Sequence, residues 1–390
     1  MKSPPVEIEL TITALAAGGD GVARDDGGRV TFVPLTAPGD RVRARIVHAT
    51  SSFARAELAT LIAAGSTRVE PVCPYVDLGC GGCQWQQVSR SEQLLAKQSI
   101  VAGALRKLEG LVVHPIASPA PPLGWRRRAR FHVAGGKTGL YVHGSKRVLP
   151  LDQCPQLEPA LDAARAVVAA ASPPDGELGL LLAHDGRIAV STQHPWRGAK
   201  LVLGRAGIVG VIAGGVTVGE PLLEVEPGLW GDPQGFAQAS AAGNAALIAQ
   251  VRAAVGPGPG RLVELYAGAG NFTRGLVADG WDVIASDAAL PARPPASFRT
   301  GAVADVLAAL PGPVDVVVLD PPRSGAAEAL DGIAKLAPRA IVYISCDPAT
   351  LGRDAQQLAL AGYRAAVAWP FDVMPQTAHV EVVLRLERTP

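Results

Sequence analysis

The chain has 390 residues, 48% of them hydrophobic, and a formal net charge of +1. That length calls for two or three domains with real cores, and the near-neutral balance leaves any nucleic-acid contact to local basic patches. With no signal-like start, no apolar run long enough to span a bilayer and five unevenly spaced cysteines, a cytoplasmic chain with no membrane partner and reduced thiols is expected.

From Val6 to Ile62 short strand patterns follow one another at small-barrel spacing: EIELTIT, GGDGVAR, RVTFVP, GDRVRARIV and ARAEL. An OB-like barrel over residues 1–62 is the natural closure, an architecture that often binds oligonucleotides, although acidic and basic residues balance within it. A cysteine loop runs from Cys73 to Cys83, and a helix is predicted from Ser89 as N-cap to Glu109, with Gly110 as its stop. RARFHV, TGLYVH, LGLLLAH, RIAVST and KLVLG then read as strands. They make residues 63–255 a mostly antiparallel α+β central domain that closes on an Ala-rich helix over 239–255. GPGPG at 256–260 breaks the chain. Beyond it RLVELYAG, WDVIASD, VDVVVLD, RAIVYIS and VEVVLRL alternate with helix patterns. Such apolar runs indicate a buried, largely parallel α/β sheet, and residues 256–390 are expected to form a Rossmann-like domain.

The segment ELYAGAGNFT, 264–273, lies where a strand turns into a helix, so its glycines let backbone approach a ligand. Asp287 closes the next strand, placed to accept hydrogen bonds from ribose hydroxyls. The turn lacks a three-glycine pyrophosphate cradle, and Glu264 before it suits a sulfonium. S-adenosylmethionine is therefore expected rather than a dinucleotide.

Two further strands end in chemistry. VDVVVLD ends in Asp320 and is followed by PPRSG; RAIVYIS is followed by Cys346 and DPATLGRD. Carbon 5 of uracil is a poor nucleophile, but a thiolate adding to carbon 6 makes it enolate-like, so it can attack a sulfonium methyl. A base must then remove the carbon-5 proton, and Glu381 at the start of the last strand is the candidate.

These segments, with CPYVDLGCGGCQWQ, GFAQAS and DVMPQTAHVE, resemble the bacterial RNA uridine-C5 methyltransferases of the subgroup that carries an iron–sulfur cluster and a TRAM barrel, of the 23S ribosomal RNA type. The resemblance covers most of the chain. It implies a class I methyltransferase domain, Cys346 as nucleophile and Glu381 as base. It also implies cofactor contacts from Gln238, Tyr266, Asn271, Asp287, Asp305 and Asp320, the last also near the reacting base. Ser240 stands where the family's GFxQxN motif has Asn, and AALPARPPASF after Asp287 replaces a usual helix.

Cys73, Cys80, Cys83 and the distant Cys154 supply four thiolates, which suit zinc or a [4Fe–4S] cluster; spacing alone does not decide. The resemblance implies [4Fe–4S], in a structural or RNA-positioning role that staples the barrel side to the central domain.

GWRRRARFHV sets Arg126, Arg127, Arg128 and Arg130 beside Trp125 and Phe131; Lys137, Lys146 and Arg147 follow, and no acidic residue occurs from Gly110 to Leu151. Arginines that grip phosphates beside aromatic faces suit unpaired RNA, with strand alternation turning some of them inward. A monomer acting on RNA, ribosomal before transfer, is the expectation. Arg323 after D-P-P counts against a cytosine-C5 enzyme, which carries cysteine there, and against an amino-nitrogen enzyme, which wants an aromatic. A transfer-RNA uridine enzyme and a non-catalytic iron–sulfur RNA-binding protein are the alternatives.

Overall fold

The computed structural model describes residues 6–310 and 312–389. Strands Glu7–Thr11, Ala14–Leu15, Gly21–Arg24, Val30–Val33, Arg41–Ala49 and Phe53–Ala63 form one curled sheet around Leu10, Ile12, Val33, Val42 and Ala44. Alternation sets the faces: Val42 and Ala44 point inward while Arg41, Arg43 and Arg45 point out. Arg43 and Arg45 meet Glu9 and Glu7 of the paired strand at 3.1 and 3.4 Å, so part of the barrel's basic charge is matched across its own sheet.

The central sheet has seven strands in the order Val148–Pro150, Lys137–Tyr141, Arg128–Ala134, Gly176–Leu182, Ile188–Thr192, Ile208–Ala213, Val216–Gly219. Every pairing is antiparallel except that of Ile188–Thr192 with Ile208–Ala213. KLVLG does not form the expected strand. Arg197–Leu201 is a 3-10 turn that leaves Leu201 exposed, and Gly204 and Gly207, both at positive φ, bend the chain into the strand at Ile208.

The C-terminal sheet runs Ser297–Thr300, Asp282–Asp287, Arg261–Leu265, Val316–Leu319, Ala340–Ser345, Glu381–Arg388, Tyr363–Phe371, Val112–Val113. The first five strands are parallel, and Glu381–Arg388 returns antiparallel to its neighbours on both sides. Strand order reverses between Arg261–Leu265 and Val316–Leu319, the switch point at whose carboxyl ends open α/β sheets bind their ligands.

Helices from before residue 256 cover both faces of this sheet. Helix Arg90–Leu105, capped by Ser89, sends Val101 and Leu105 into the core of Val263, Leu319, Tyr343 and Leu384. Helix Ala241–Val255 sends Leu247 and Val251 into the other core, with Val316, Val342 and Val383. The segment after the cysteine loop binds the parts together: fully buried Trp85 donates its Nε1–H to the Gly19 carbonyl of the barrel at 2.9 Å. The Trp85 backbone N–H donates to Gln376, in the loop that leads to Glu381. Lys97, inside helix Arg90–Leu105, is buried against Asp372 at the start of that same loop. Among the described residues no helix is long and apolar enough to cross a membrane.

Candidate active site

The turn after Arg261–Leu265 is the half of the site where the sequence leads one to expect the methyl donor. Tyr266 takes a positive φ of 59°, costly for a bulky side chain, and Gly268 and Gly270 continue the tight path. Gly270 is required on two counts: its φ is 87°, and a Cβ there would meet Pro295 Cγ at 2.4 Å. Pro295 belongs to the proline-rich stretch after Asp287, which is irregular and lies over the turn, with the Arg293 guanidinium 3.6 Å from the centre of the Trp230 ring. Asp287 Oδ2 accepts the Gly268 N–H at 2.8 Å, tying the two strand ends together.

Glu264 is buried beneath this turn. Thr273 donates to its Oε2 at 2.5 Å, while Oε1 has no hydrogen-bond partner among the described residues. Burial pushes its pKa up to about 8, with Asp320 and Asp287 adding to the rise. An orphaned, acidic oxygen under a glycine turn suits a ligand with an ammonium group. Gln238 is held by its backbone, its carbonyl accepting the Arg127 Nε–H at 3.0 Å. Ser240 is explained locally: its Oγ accepts the Gly243 N–H at 3.0 Å and caps helix Ala241–Val255. Asp305 lies exposed in the first turn of helix Val303–Ala308, and no side-chain contact joins it to the other candidates.

The expected reacting half lies beyond Val316–Leu319, where Ala340–Ser345 ends and Glu381–Arg388 begins. Ser345 pairs with Val382 in the antiparallel register, so the next position of each strand brings Cys346 and Glu381 to the same edge. Burial pushes the Cys346 thiol up to about 11; the Glu381 and Asp320 carboxyls push the same way, and the Arg323 guanidinium against the sulfur pulls it back. Burial holds Glu381 at about 8, raised further by Asp320 and lowered by Arg323. Asp320 is itself raised to about 7 by burial.

Arg323 is the group that sequence reading used only by exclusion; its signal was a basic residue in the loop after a strand beside a reactive thiol. Gly325, at φ 87°, allows that loop to pass Thr350 and Asp354, where a Cβ would collide at 2.4–2.5 Å. The Arg323 Nη2 lies 3.0 Å from His379 Nδ1. Burial, together with Arg323, Lys97 and Arg126, lowers the His379 pKa to about 4, so the ring is neutral and accepts from the guanidinium.

Cys73, Cys80, Cys83 and Cys154 line one cavity of about 90 Å³, together with Arg126, so the distant cysteine does join the loop. Among the described residues, however, no three His, Cys, Asp or Glu side chains stand close enough to hold a metal ion.

The arginine cluster divides differently from the expected RNA surface. Trp125 and Phe131 are buried, and Arg127 is enclosed against Glu226 at 2.5 Å. Arg126 lines the cysteine cavity. Only Arg128 and Arg130 remain on the open side, bonded to the carbonyls of Gly235 and Gln234, beside an exposed Phe236. Alternation along one strand separates the four, and the aromatic left for stacking comes from another segment.

A parallel sheet with its glycine turn, acidic strand ends and reversed last strand defines a Rossmann-like, S-adenosylmethionine-dependent methyltransferase. The profile of the TRAM domain matches residues 6–59, and that of the tRNA (uracil-5-)-methyltransferases matches residues 313–389. A 23S rRNA (uracil(1939)-C(5))-methyltransferase of Pseudomonas putida is 33% identical over 97% of this chain and 93% of its own length. An RNA methyltransferase of Gloeobacter violaceus is 32% identical over 98% and 96%. The solved tRNA (uracil-54, C5)-methyltransferase of Pyrococcus abyssi, in complex with S-adenosyl-L-homocysteine, shares the fold at a TM-score of 0.76 and 19% identity. That likeness covers 97% of this chain and 100% of that one. The chain belongs to the RNA uracil-C5 methyltransferase family.

Because the Cys346 thiol is raised to about 11, its thiolate fraction grows about tenfold per pH unit well below that value. Iodoacetamide labelling of Cys346, followed by peptide mass spectrometry, is expected to climb steeply from pH 7 to pH 9. Arg323→Met should slow it throughout; labelling that is flat with pH would mean the thiolate is already formed.

Proposed function

We propose that this chain transfers a methyl group from S-adenosylmethionine to carbon 5 of a uridine in 23S ribosomal RNA. The pairing register that brings Cys346 and Glu381 to one edge, with Arg323 against the sulfur, carries this reading. The identity of the RNA rests on the relatives, several of which are 23S rRNA enzymes.

In this mechanism the Cys346 thiolate, favoured by Arg323, adds to carbon 6 of the uracil. The electron pair moved to carbon 5 attacks the sulfonium methyl, and S-adenosylhomocysteine leaves. The Glu381 carboxylate then takes the carbon-5 proton, the carbon 5–carbon 6 double bond re-forms, and the thiolate is expelled. A base held near 8 is matched to a proton transfer at neutral or slightly alkaline pH. Asp320, when ionised, accepts the N3–H of uracil, a proton that cytosine lacks. On the donor side Gln238, Tyr266, Asn271 and Asp287 hold S-adenosylmethionine, with the orphan Glu264 oxygen for its ammonium; Asp305 completes the proposed contact set from the edge of the sheet. The target base must be unpaired or flipped out to reach Cys346. Arg128, Arg130 and Phe236 form the adjoining RNA surface, and the chain acts as a cytoplasmic monomer.

Cys73, Cys80, Cys83 and Cys154 would hold a [4Fe–4S] cluster. The four thiols line one cavity of about 90 Å³, and the chain has a single C-x-x-C knuckle where structural zinc commonly has two, which favours a cubane over zinc. When bound, the cluster supplies a covalent cross-link between the loop and the central domain; methyl transfer itself requires no electron.

Incubation of the enzyme with 23S rRNA and S-adenosylmethionine is expected to yield 5-methyluridine by nuclease digestion and mass spectrometry, and Cys346→Ala to abolish it. Glu381→Gln should accumulate a covalent protein–RNA adduct. Methylation surviving in Cys346→Ala, or appearing on another base, would overturn the reading. Anaerobically purified protein should carry iron and sulfide near four per chain, lost in Cys154→Ser; colourless protein with stoichiometric zinc would contradict the cluster.

A further inference from the structure

The donor pocket is assembled from two stretches that no single strand or helix joins: the turn 266–271 and the segment around Gln238. A buried polar network spans the gap. Its hub is Glu226, whose Oε1 accepts from Arg127 Nη2 at 2.5 Å and from Asn244 Nδ2 at 2.7 Å. Arg274, just after the turn, donates to the other oxygen. Arg127 is 3% exposed and has a second branch, its Nε–H, on the Gln238 carbonyl. Its own backbone N–H donates to Ala239 at 2.8 Å.

Asn244 is 1% exposed and exchanges two amide hydrogen bonds with Asn271, each 2.8 Å long. That reciprocal pair fixes which way the Asn271 amide is turned and leaves it one N–H and one lone pair for a ligand. Burial alone would raise the Glu226 pKa; the bonds from Asn244, Arg127 and Arg274 outweigh it and hold the group below the ordinary carboxylate value, so the hub stays charged at neutral pH. A charged hub this enclosed is costly to leave half paired, which makes the network all-or-none in its geometry.

We propose that Arg127 and Asn244 are positioning residues for S-adenosylmethionine, locking the Gln238 segment to the Asn271 turn through Glu226 so that the two halves of the donor pocket keep one spacing. The proposal rests on the donor assignment made above. Arg127, which sits in the most basic stretch of the chain, therefore serves the donor and not the RNA.

Calorimetric titration with S-adenosylhomocysteine tests this without any RNA. Loss of one oriented amide pair, at about 1 kcal/mol, predicts a Kd for Asn244→Ala raised roughly fivefold. KM for the donor should rise with it while kcat falls far less. Asn244→Ala added to Asn271→Ala should cost little more than Asn271→Ala alone, because the first acts through the second. Arg127→Lys, which keeps the charge on Glu226, should lose less affinity than Arg127→Met. Affinities within twofold of the unsubstituted protein in folded Asn244→Ala and Arg127→Met, or fully additive losses in the double variant, would overturn the proposal. If Arg127→Met does not fold, Asn244→Ala and Arg127→Lys decide it. No binding of S-adenosylhomocysteine by the unsubstituted chain would instead overturn the donor assignment itself.

Discussion

The structure turns on a guanidinium set among acids at the carboxyl edge of a parallel sheet. Asp320, Glu381 and the Cys346 thiol are gathered there by strand register, and burial pushes all three toward their neutral forms. Left to burial alone, the site would hold a thiol that cannot attack and a carboxyl that cannot take a proton. Arg323 counters this at both Cys346 and Glu381, and a neutral His379 fixes one end of its guanidinium. Its backbone carbonyl accepts from the Thr350 hydroxyl at 3.1 Å, and Ala326 is pinned by its N–H on buried Asp354, so the loop itself is rigid. The balance leaves the Asp320 and Glu381 carboxyls with pKa values of about 7 and about 8.

Much of the rest of the molecule holds that edge in place. Helix Arg90–Leu105 and Asp372 anchor the loop that carries His379 toward Glu381. Trp85 ties the same loop to the barrel, and the loop that carries Cys73, Cys80 and Cys83 directly precedes Trp85 in the chain. The cavity borders the site through Arg126, which stacks 4.8 Å from the Trp125 ring and contributes to the low pKa of His379. The barrel and the cysteine cavity are thus physically continuous with the edge that carries Cys346 and Glu381, whereas the Glu226 network ties the Gln238 segment to the Asn271 turn.

The legible part of the sequence was the part with simple periodicity or a forced local role. Continuous apolar runs marked five strands of the C-terminal sheet, and Ser89 announced its helix as a cap. Cys346 stood out at a strand end beside a D-P turn, whereas Glu381 was found only through the base that uracil-C5 chemistry requires and through the resemblance. Less legible were Tyr363–Phe371 and Val112–Val113, whose edge position and long-range pairing leave no local signature. KLVLG looked like a strand by composition, but its glycine at positive φ decided otherwise. The arginines of GWRRRARFHV looked alike as charges. One lines a cavity, one is a buried strut and two face outward, and only the register of strand Arg128–Ala134 and the chain entering it separates them. Ser240, read as a departure, keeps a capping role that its side chain satisfies alone.

In the proposed reaction, methyl transfer proceeds through carbon 5 by addition of Cys346 and removal of the proton by Glu381. Its most direct test is the release of tritium to water from RNA labelled at carbon 5 of its uridines, followed alongside methyl incorporation. One tritium is expected to be released for each methyl group transferred, with both lost in Cys346→Ala. Methyl transfer without tritium release would place the chemistry on another atom and contradict it.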